Sequence, residues 1–425
     1  MDSAESVADA IAMALLAGEW DAPAMAKRVS TALGMKRPTR WIGALVAELI
    51  SAYPRPPVEA PRELAAAVRF AESFERRWAF RPPLHIRVWT PQPTGMGRTP
   101  WPVTPLPDLG ALTRLLDVDA GELAWFADTG GWTRRSAEPL RHYRWREISR
   151  RGGGTRLVAA PKPRLKEIQR RLLRHVLLPI PTHAAAHGAV PGRSVRTAVS
   201  PHAGSAVVLR MDLEAFYASI PAGRVWGLLR TAGFPEAVAY AITGLVTTVA
   251  PVGLSTDPRL RTPHLPQGAP SSPQLANLIA FSLDRRLAGL ASRFGVQYTR
   301  YVDDLTFSGE LRAARSRFVG AVTSVVESEG FSVNERKTVV LGSAGRQAVL
   351  GTVINEHPAV SRAERDALRA TLHNCAVHGW PSQARGRSRD EFRAHLLGRM
   401  AWVGSLHPTH ATPLRAIFDR IQWEP

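Results

Sequence analysis

Cysteine is almost absent from this chain: Cys375 is the only one in 425 residues. That excludes a disulfide within the chain and any cysteine-cluster zinc module, and it fits a reducing cytosol. Lysine is nearly as scarce, with five residues against fifty arginines. Part of that skew is what a GC-rich coding sequence produces, so arginine content alone identifies nothing. Long hydrophobic runs are rare as well. The N-terminal MDSAESVADAIAMALLAGEW places acids before its apolar run and has no basic region, so no signal peptide is expected. One uncharged segment, AVAYAITGLVTTVAPVGL (237–254), reaches membrane-span length. Its Thr pair and its proline favour a buried helix running into a strand, and no membrane span is expected. No internal repeat or extended low-complexity tract is present.

Negative charge is the remaining deficit. Asp and Glu total 36 against 55 Lys and Arg, a formal charge of +19. The sign survives the codon skew, and it points to a polyanionic partner, most often nucleic acid, because each neutralised phosphate releases counterions. Apolar residues make up 45%, enough to build real cores in two to four packed units.

Residues 1–90 read as helical: Asp21 and Pro23 open one helix, and EAPRELAAAVRFAESFERRW repeats apolar positions at helical spacing. The Pro- and Gly-rich TPQPTGMGRTPWPVTPLP that follows is a plausible linker, with its core at 91–103. DLGALTRLLDVDAGELAWFAD predicts two short helices meeting at an acidic turn. The alternation on both sides of the triple glycine in RWREISRRGGGTRLVAAPKPRLK predicts a hairpin. The next helix, LKEIQRRLLRHVLLPI, turns Ile168, Leu172, Val176 and Leu177 inward and Arg170, Arg171 and Arg174 outward. Strands and helices then alternate to about 355, and the last seventy or so residues are helical and rich in His, Arg and Trp.

Four stretches carry residues suited to chemistry. RYVDDLTFSG (300–309) sets two adjacent carboxylates, Asp303 and Asp304, between strand-forming runs. They are either an ordinary Asp turn or ligands for a divalent cation. AVVLRMDLEAFYASI (206–220) puts Asp212 at the end of a short apolar strand, where it is either a cap for a following helix or a metal ligand. Carboxylates at two strand ends match the needs of two-metal phosphoryl transfer, in which Mg²⁺ takes a few hard oxygen ligands. LPQGAPSSPQLANLIAFSLDRRL (265–287) is a tight turn into a helix, with Gln267 and Gly268 placed for close approach to a nucleotide. GFSVNERKTVVLG (330–342) holds Lys337, the only lysine beyond residue 166. Lysine can release a proton where arginine cannot, so its retention in an arginine-rich chain is either chance or a general-acid role.

Taken together these stretches resemble the motif series of reverse transcriptases, and more narrowly the retron type, from about 104 to 355 and more loosely to the C-terminus. RMDLEAFYASI is similar to the palm motif with the first metal-binding aspartate. LPQGAPSSPQLANL matches the nucleotide-contacting motif, YVDDLTFS the Tyr-x-Asp-Asp hairpin and GFSVNERKT the lysine motif. RQAVLGTVIN looks like the primer grip, GGGTRLVAAPKPRLKEIQRRLL the retron fingers, and AAHGAVPGRS the loop after them.

The resemblance implies an α+β fold, a right-hand polymerase with a helical N-terminal extension (1–90), a linker (91–103), fingers (104–200), a palm (201–355) and a helical thumb (356–425). It makes Asp212 and Asp303 ligands of two Mg²⁺ ions, with Asp304 as the second half of the pair and the Leu213 carbonyl as a further ligand. Lys337 becomes the proton donor to pyrophosphate and Arg156 the triphosphate grip. Tyr217 becomes the ring that rejects a sugar 2′-hydroxyl. Gln267 and Gly268 would line the incoming nucleotide, and Leu350 and Gly351 would hold the primer end.

The implied partners are a structured non-coding RNA that serves as template and primer, its DNA product, dNTPs and an effector or toxin protein. The implied setting is cytoplasmic, without a membrane. The arginines of HGWPSQARGRSRDEFRAH (378–395), with Trp380, are either RNA contacts or a solvated basic face. Three positions depart from the retron pattern: Val302 for the usual Ala, Leu350 in a usual Val-Thr-Gly, and AVSPH, which keeps only His202 of Asn-Ala-x-x-His. Group II intron enzymes are the nearest rival. They usually continue into a maturase region and often a Cys/His endonuclease, for which little more than seventy residues and one cysteine leave no room. A second rival is a non-catalytic RNA-binding scaffold, against which the intact acidic residues argue.

Overall fold

Ser3 and Asp21 open the first two helices, Ala4–Leu16 and Ala22–Ala32, by accepting hydrogen bonds from the amides of Ser6 and Ala24. Such amides have no partner inside the helix, so a capping oxygen stabilises the start by about 1 kcal/mol. With Arg40–Ala52, Pro61–Phe70 and Glu72–Trp78 these helices enclose an apolar core of its own, including Ile11, Leu15, Met25, Val29, Leu45, Leu64 and Phe74. The helical reading of this region holds as far as Trp78, with Asp21 as a cap and Pro23 in the first turn, whereas residues 83–90 form no helix.

The structure is a computed structural model that describes residues 2–80, 83–90, 95–128, 130–149, 155–310 and 315–424. It forms two compact units, Met1–Pro181 with Ile220–Leu275, and Thr182–Ser219 with Ala276–Pro425.

In the first unit, Leu109–Leu116 and Ala120–Ala127 are the two expected short helices, the second opened by a reciprocal Asp119–Glu122 capping box. The hairpin pairs β1 (Tyr143–Ser149) with β2 (Thr155–Pro161), from Tyr143 opposite Pro161 to Ser149 opposite Thr155. Its glycine turn lies outside the described residues. Ile168, Leu172, Val176 and Leu177 of the following helical stretch are all buried. Part of the Pro/Gly stretch is tied down rather than loose: Gly97 N–H donates to Gly233 O across 2.7 Å. Gly233 has φ +84, and a Cβ there would stand 2.7 Å from Gly97 O, so only glycine permits this approach. The segment 237–254 begins as the helix Glu236–Val246, but the expected strand is reduced to one bridge, Thr248 with His264. Pro251 and the left-handed Gly253 stop it there. Among the described residues no helix is long and apolar enough to cross a membrane.

The second unit is built on an antiparallel sheet in the order β4-β5-β3-β6: Gln297–Tyr301, Asp304–Gly309, Val207–Asp212 and Val339–Gly342. Central β3 contributes Val207, Val208, Leu209 and Met211 to the core, and Phe307 of β5 meets Tyr298 and Phe318. A small hairpin, β7 (Ala348–Val349) and β8 (Thr352–Val353), turns through Leu350 and Gly351, both at positive φ. The C-terminal helices Arg362–His378, Arg389–Leu406 and Pro408–Phe418 share a core of Leu368, Leu372, Phe392, Leu396 and Leu414. The arginines 385, 387, 389 and 393 are exposed, whereas Trp380 packs partly against that core and is not displayed as a free ring.

Candidate active site

Asp212 and Asp304 are direct register partners across β3 and β5. Like charges directly opposite on a ladder are unfavourable, so the pairing calls for a compensating cation. No helix starts after Asp212: residues 214–219 are turn, and the carboxylate bonds to Lys337 instead. The capping alternative therefore fails. Asp304 is likewise part of β5 rather than of the turn, so a simple Asp turn does not account for it.

The backbone is clamped around this point. Leu213 N–H donates to Asp303 O (2.9 Å), Glu214 N–H to Ser332 O (2.8 Å) and Asn334 N–H to Asp212 O (2.7 Å). The Leu213 side chain is buried, so only its main chain is available to a ligand. Lys337, on the short turn Glu335–Lys337 just before β6, places Nζ 2.8 Å from Asp212 Oδ1. Arg210 approaches Asp304 Oδ1 at 3.8 Å and also donates to Ala348 O of β7 at 3.2 Å. Burial raises the Asp304 carboxyl to about 6, and the charge of Asp303 adds to the rise.

These oxygens fit a hard divalent ion by donor type, and the like charges of Asp212 and Asp304 face each other across the ladder. Among the described residues the three aspartates do not all meet within 4.8 Å of one another, so they form an open set on two strand ends rather than a cage for one ion.

The turn between β4 and β5 has a support that the sequence did not mark. Val302 holds φ +59, a strained conformation for a β-branched residue. Arg300, fully buried, donates to Val302 O at 2.9 Å and to Asn277 Oδ1 at 3.0 Å, and pairs with Asp284 at 2.6 and 2.8 Å. Tyr298 OH also donates to Asp284 (2.8 Å), and Asn277 donates to Gly188 O (2.8 Å). A Cβ on Gly188 would stand 2.6 Å from Val302 Cγ2, so glycine is required where the loop passes the turn. No local pattern marks Arg300 as buried, since an arginine on a strand reads as solvent-facing. His202, the retained part of the AVSPH stretch, is buried between Ser308 Oγ and Thr299 Oγ1, each at 2.8 Å. Burial pushes its imidazole down to about 4.

Tyr217 is half-buried beside Phe216, with ring centroids 5.8 Å apart, and the Arg300 guanidinium lies over Phe216 at 5.6 Å. Leu350 and Gly351 form the β7–β8 turn. The remaining expected residues belong to the first unit. There Arg156 Nε donates to Gln267 Oε1 (2.7 Å) and Ala159 N–H to Gln267 O (2.8 Å). Gly268 has φ +125, and a Cβ would meet Ala159 O at 3.0 Å, so the Gln-Gly turn lies tight against β2.

Residues 148–354 match the family described as reverse transcriptase (RNA-dependent DNA polymerase). The chain is 42% identical over 287 residues to the retron Mx65 reverse transcriptase of Myxococcus xanthus, covering 66% of this chain and 65% of that one. It is 38% identical over 299 residues to the retron Mx162 reverse transcriptase of the same organism, with 64% and 59% covered. The retron Ec86 reverse transcriptase of Escherichia coli is 31% identical over 270 residues, 59% of this chain and 80% of that relative. This chain belongs to the retron reverse transcriptases. It spans 65% and 59% of the length of the two Myxococcus relatives. Retron membership holds despite the three departures in sequence. Val302 is accommodated by the Arg300 anchor, Leu350 by a tight turn, and His202 keeps a buried structural role.

Proposed function

We propose that the chain is an RNA-directed DNA polymerase that makes a short single-stranded DNA on a structured cognate non-coding RNA, yielding a branched RNA–DNA product. The pairing of Asp212 with Asp304 at the end of the central strands, with Lys337 on Asp212, is the observation that carries this reading. Fingers (104–200), palm (201–355) and thumb (356–425) are the corresponding functional regions.

Asp212 and Asp303 would hold two Mg²⁺ ions, with Asp304 and the Leu213 carbonyl supporting them. When bound, the ions would supply activation of the attacking hydroxyl and charge neutralisation at the leaving pyrophosphate. Lys337 donates a proton to that leaving group. Arg156, oriented by Gln267, grips the triphosphate, and Gly268 lets the backbone come close to the base and sugar. Tyr217 closes the space that a 2′-hydroxyl needs, so dNTPs are selected. Leu350 and Gly351 hold the primer end. The exposed arginines of 378–395 contact RNA phosphates. A defence role against phage, with an effector or toxin protein as partner and a cytoplasmic setting, completes the proposal.

Primer extension on an RNA template with Mg²⁺ and dNTPs tests it. Template-dependent incorporation is expected. Its absence, with RNA binding intact, would favour a non-catalytic scaffold.

A further inference from the structure

Three imidazoles outside the candidate active site converge. Among the described residues, His357, His407 and His410 are the one trio of His, Cys, Asp or Glu whose donor atoms all lie within 4.8 Å of one another. Ring centroids are 4.3 Å apart for His357 and His407 and 4.2 Å for His407 and His410. Ring stacking explains why rings touch, but it does not explain why three donor nitrogens gather at one point.

The supports are ordered elements. His357 lies on the short loop after β8, closed by the paired hydrogen bonds of Val353 and Ala359 at 2.8 and 2.9 Å. His407 occupies the position before the helix Pro408–Phe418 without a side-chain capping bond, and His410 follows one turn later, its N–H donating to His407 O at 3.1 Å. Thr409 Oγ1 lies 2.8 Å from His407 Nδ1, the kind of partner that fixes a tautomer and leaves Nε2 to bind a metal. Three nitrogens around one tetrahedral Zn²⁺ stand roughly 3.3 Å apart, given Zn–N bonds of about 2.0–2.1 Å. Small side-chain rotations therefore close the trio. One group opposes this: Arg365 donates toward the two ring nitrogens of His410 at 3.0 and 3.3 Å, and it must swing away.

We propose that His357, His407 and His410 form a three-histidine site for a late first-row divalent ion, Zn²⁺ first, fastening the loop after the β7–β8 hairpin to the C-terminal helices. Neutral nitrogen donors select such ions and discriminate against Mg²⁺, so this site is chemically separate from the aspartates.

The test uses the full chain, stripped with a chelator and held in excess Mg²⁺ to fill carboxylate sites. Zn²⁺ is titrated against a chromophoric chelator, and Co²⁺ binding is followed by its visible absorption. One equivalent of Zn²⁺ is expected. His357→Ala, His407→Ala and His410→Ala should each weaken binding at least about tenfold, as loss of one ligand of three demands, whereas His373→Ala, an exposed residue of the same region, should not. Should a single Ala variant misfold by circular dichroism, His407→Gln and His410→Gln take its place. Absence of stoichiometric Zn²⁺, or binding that persists in the triple variant, overturns the proposal.

Discussion

Lys337 Nζ donates to Asp212 Oδ1 across 2.8 Å, joining the turn before β6 to the end of the central strand. The carboxylate is largely buried while the ammonium is half exposed, so the lysine stands where a cation is needed and can still leave. Charge alone would be served by arginine, but proton donation would not. Lys337→Arg should therefore lower single-turnover nucleotide addition by about 10²–10⁴-fold, the usual contribution of a positioned acid, with RNA affinity unchanged. Full activity in Lys337→Arg would reduce the residue to a counter-charge.

Asp304 gives a dependence on pH. Its folded carboxyl is raised to about 6, above the ordinary 3.8, so between those values the native state holds a proton that the unfolded chain has lost. The stability of the metal-free protein should then fall as pH rises from about 4 to 6, and Asp304→Asn should flatten that slope and raise Tm at pH 7 by a few degrees. Mg²⁺ should have the same flattening effect if it binds the ionised group. A Tm profile of Asp304→Asn identical to the parent protein would contradict this.

His202 behaves in the opposite sense. Its imidazole is neutral in the fold down to about 4, whereas the unfolded chain protonates near 6.5. Stability should be lost as pH falls from about 6.5 to 4, and His202→Ala should remove that component while costing about 2–4 kcal/mol through the lost partner of the Ser308 hydroxyl and the cavity left behind, the Thr299 hydroxyl keeping its bond to Ala198 O. Denaturant titrations at pH 5 and pH 8 measure both effects.

Arg300 and Asp284 are both fully inaccessible. Arg300→Met leaves the buried Asp284 with the Tyr298 hydroxyl but no cation and should cost about 3–5 kcal/mol, whereas Arg300→Met with Asp284→Leu should recover much of that loss. The double variant should still lose activity, because Val302 O would lack its anchor and the turn carrying Asp303 would relax. A stable and fully active double variant would show that the turn holds itself.

The pattern of the chain made part of this legible and left part hidden. β3 could be read because Val207, Val208 and Leu209 form an apolar run ending on an acid, and the β1–β2 hairpin because alternation flanks glycines. The choice between cap and ligand at Asp212 could not be read, since it turns on whether residues 214–219 become helix, and they form turns. Arg300 was hidden because a strand arginine looks solvent-facing until its partner Asp284, on the helix Phe281–Arg293, is known. The strand expected after Val246 failed because apolar content in that segment outweighed Pro251 and Gly253 in the reading but not in the fold. The histidine trio joins residues fifty positions apart and has no local spacing beyond His407 and His410.

The most direct measurement is primer extension by Asp303→Asn beside the parent protein, on an RNA template with Mg²⁺ and dNTPs, with RNA affinity measured in parallel. The account predicts template-dependent synthesis by the parent, none by the variant, and equal RNA binding by both. Synthesis that persists in the variant, or a parent that binds RNA and adds no nucleotide, would contradict it.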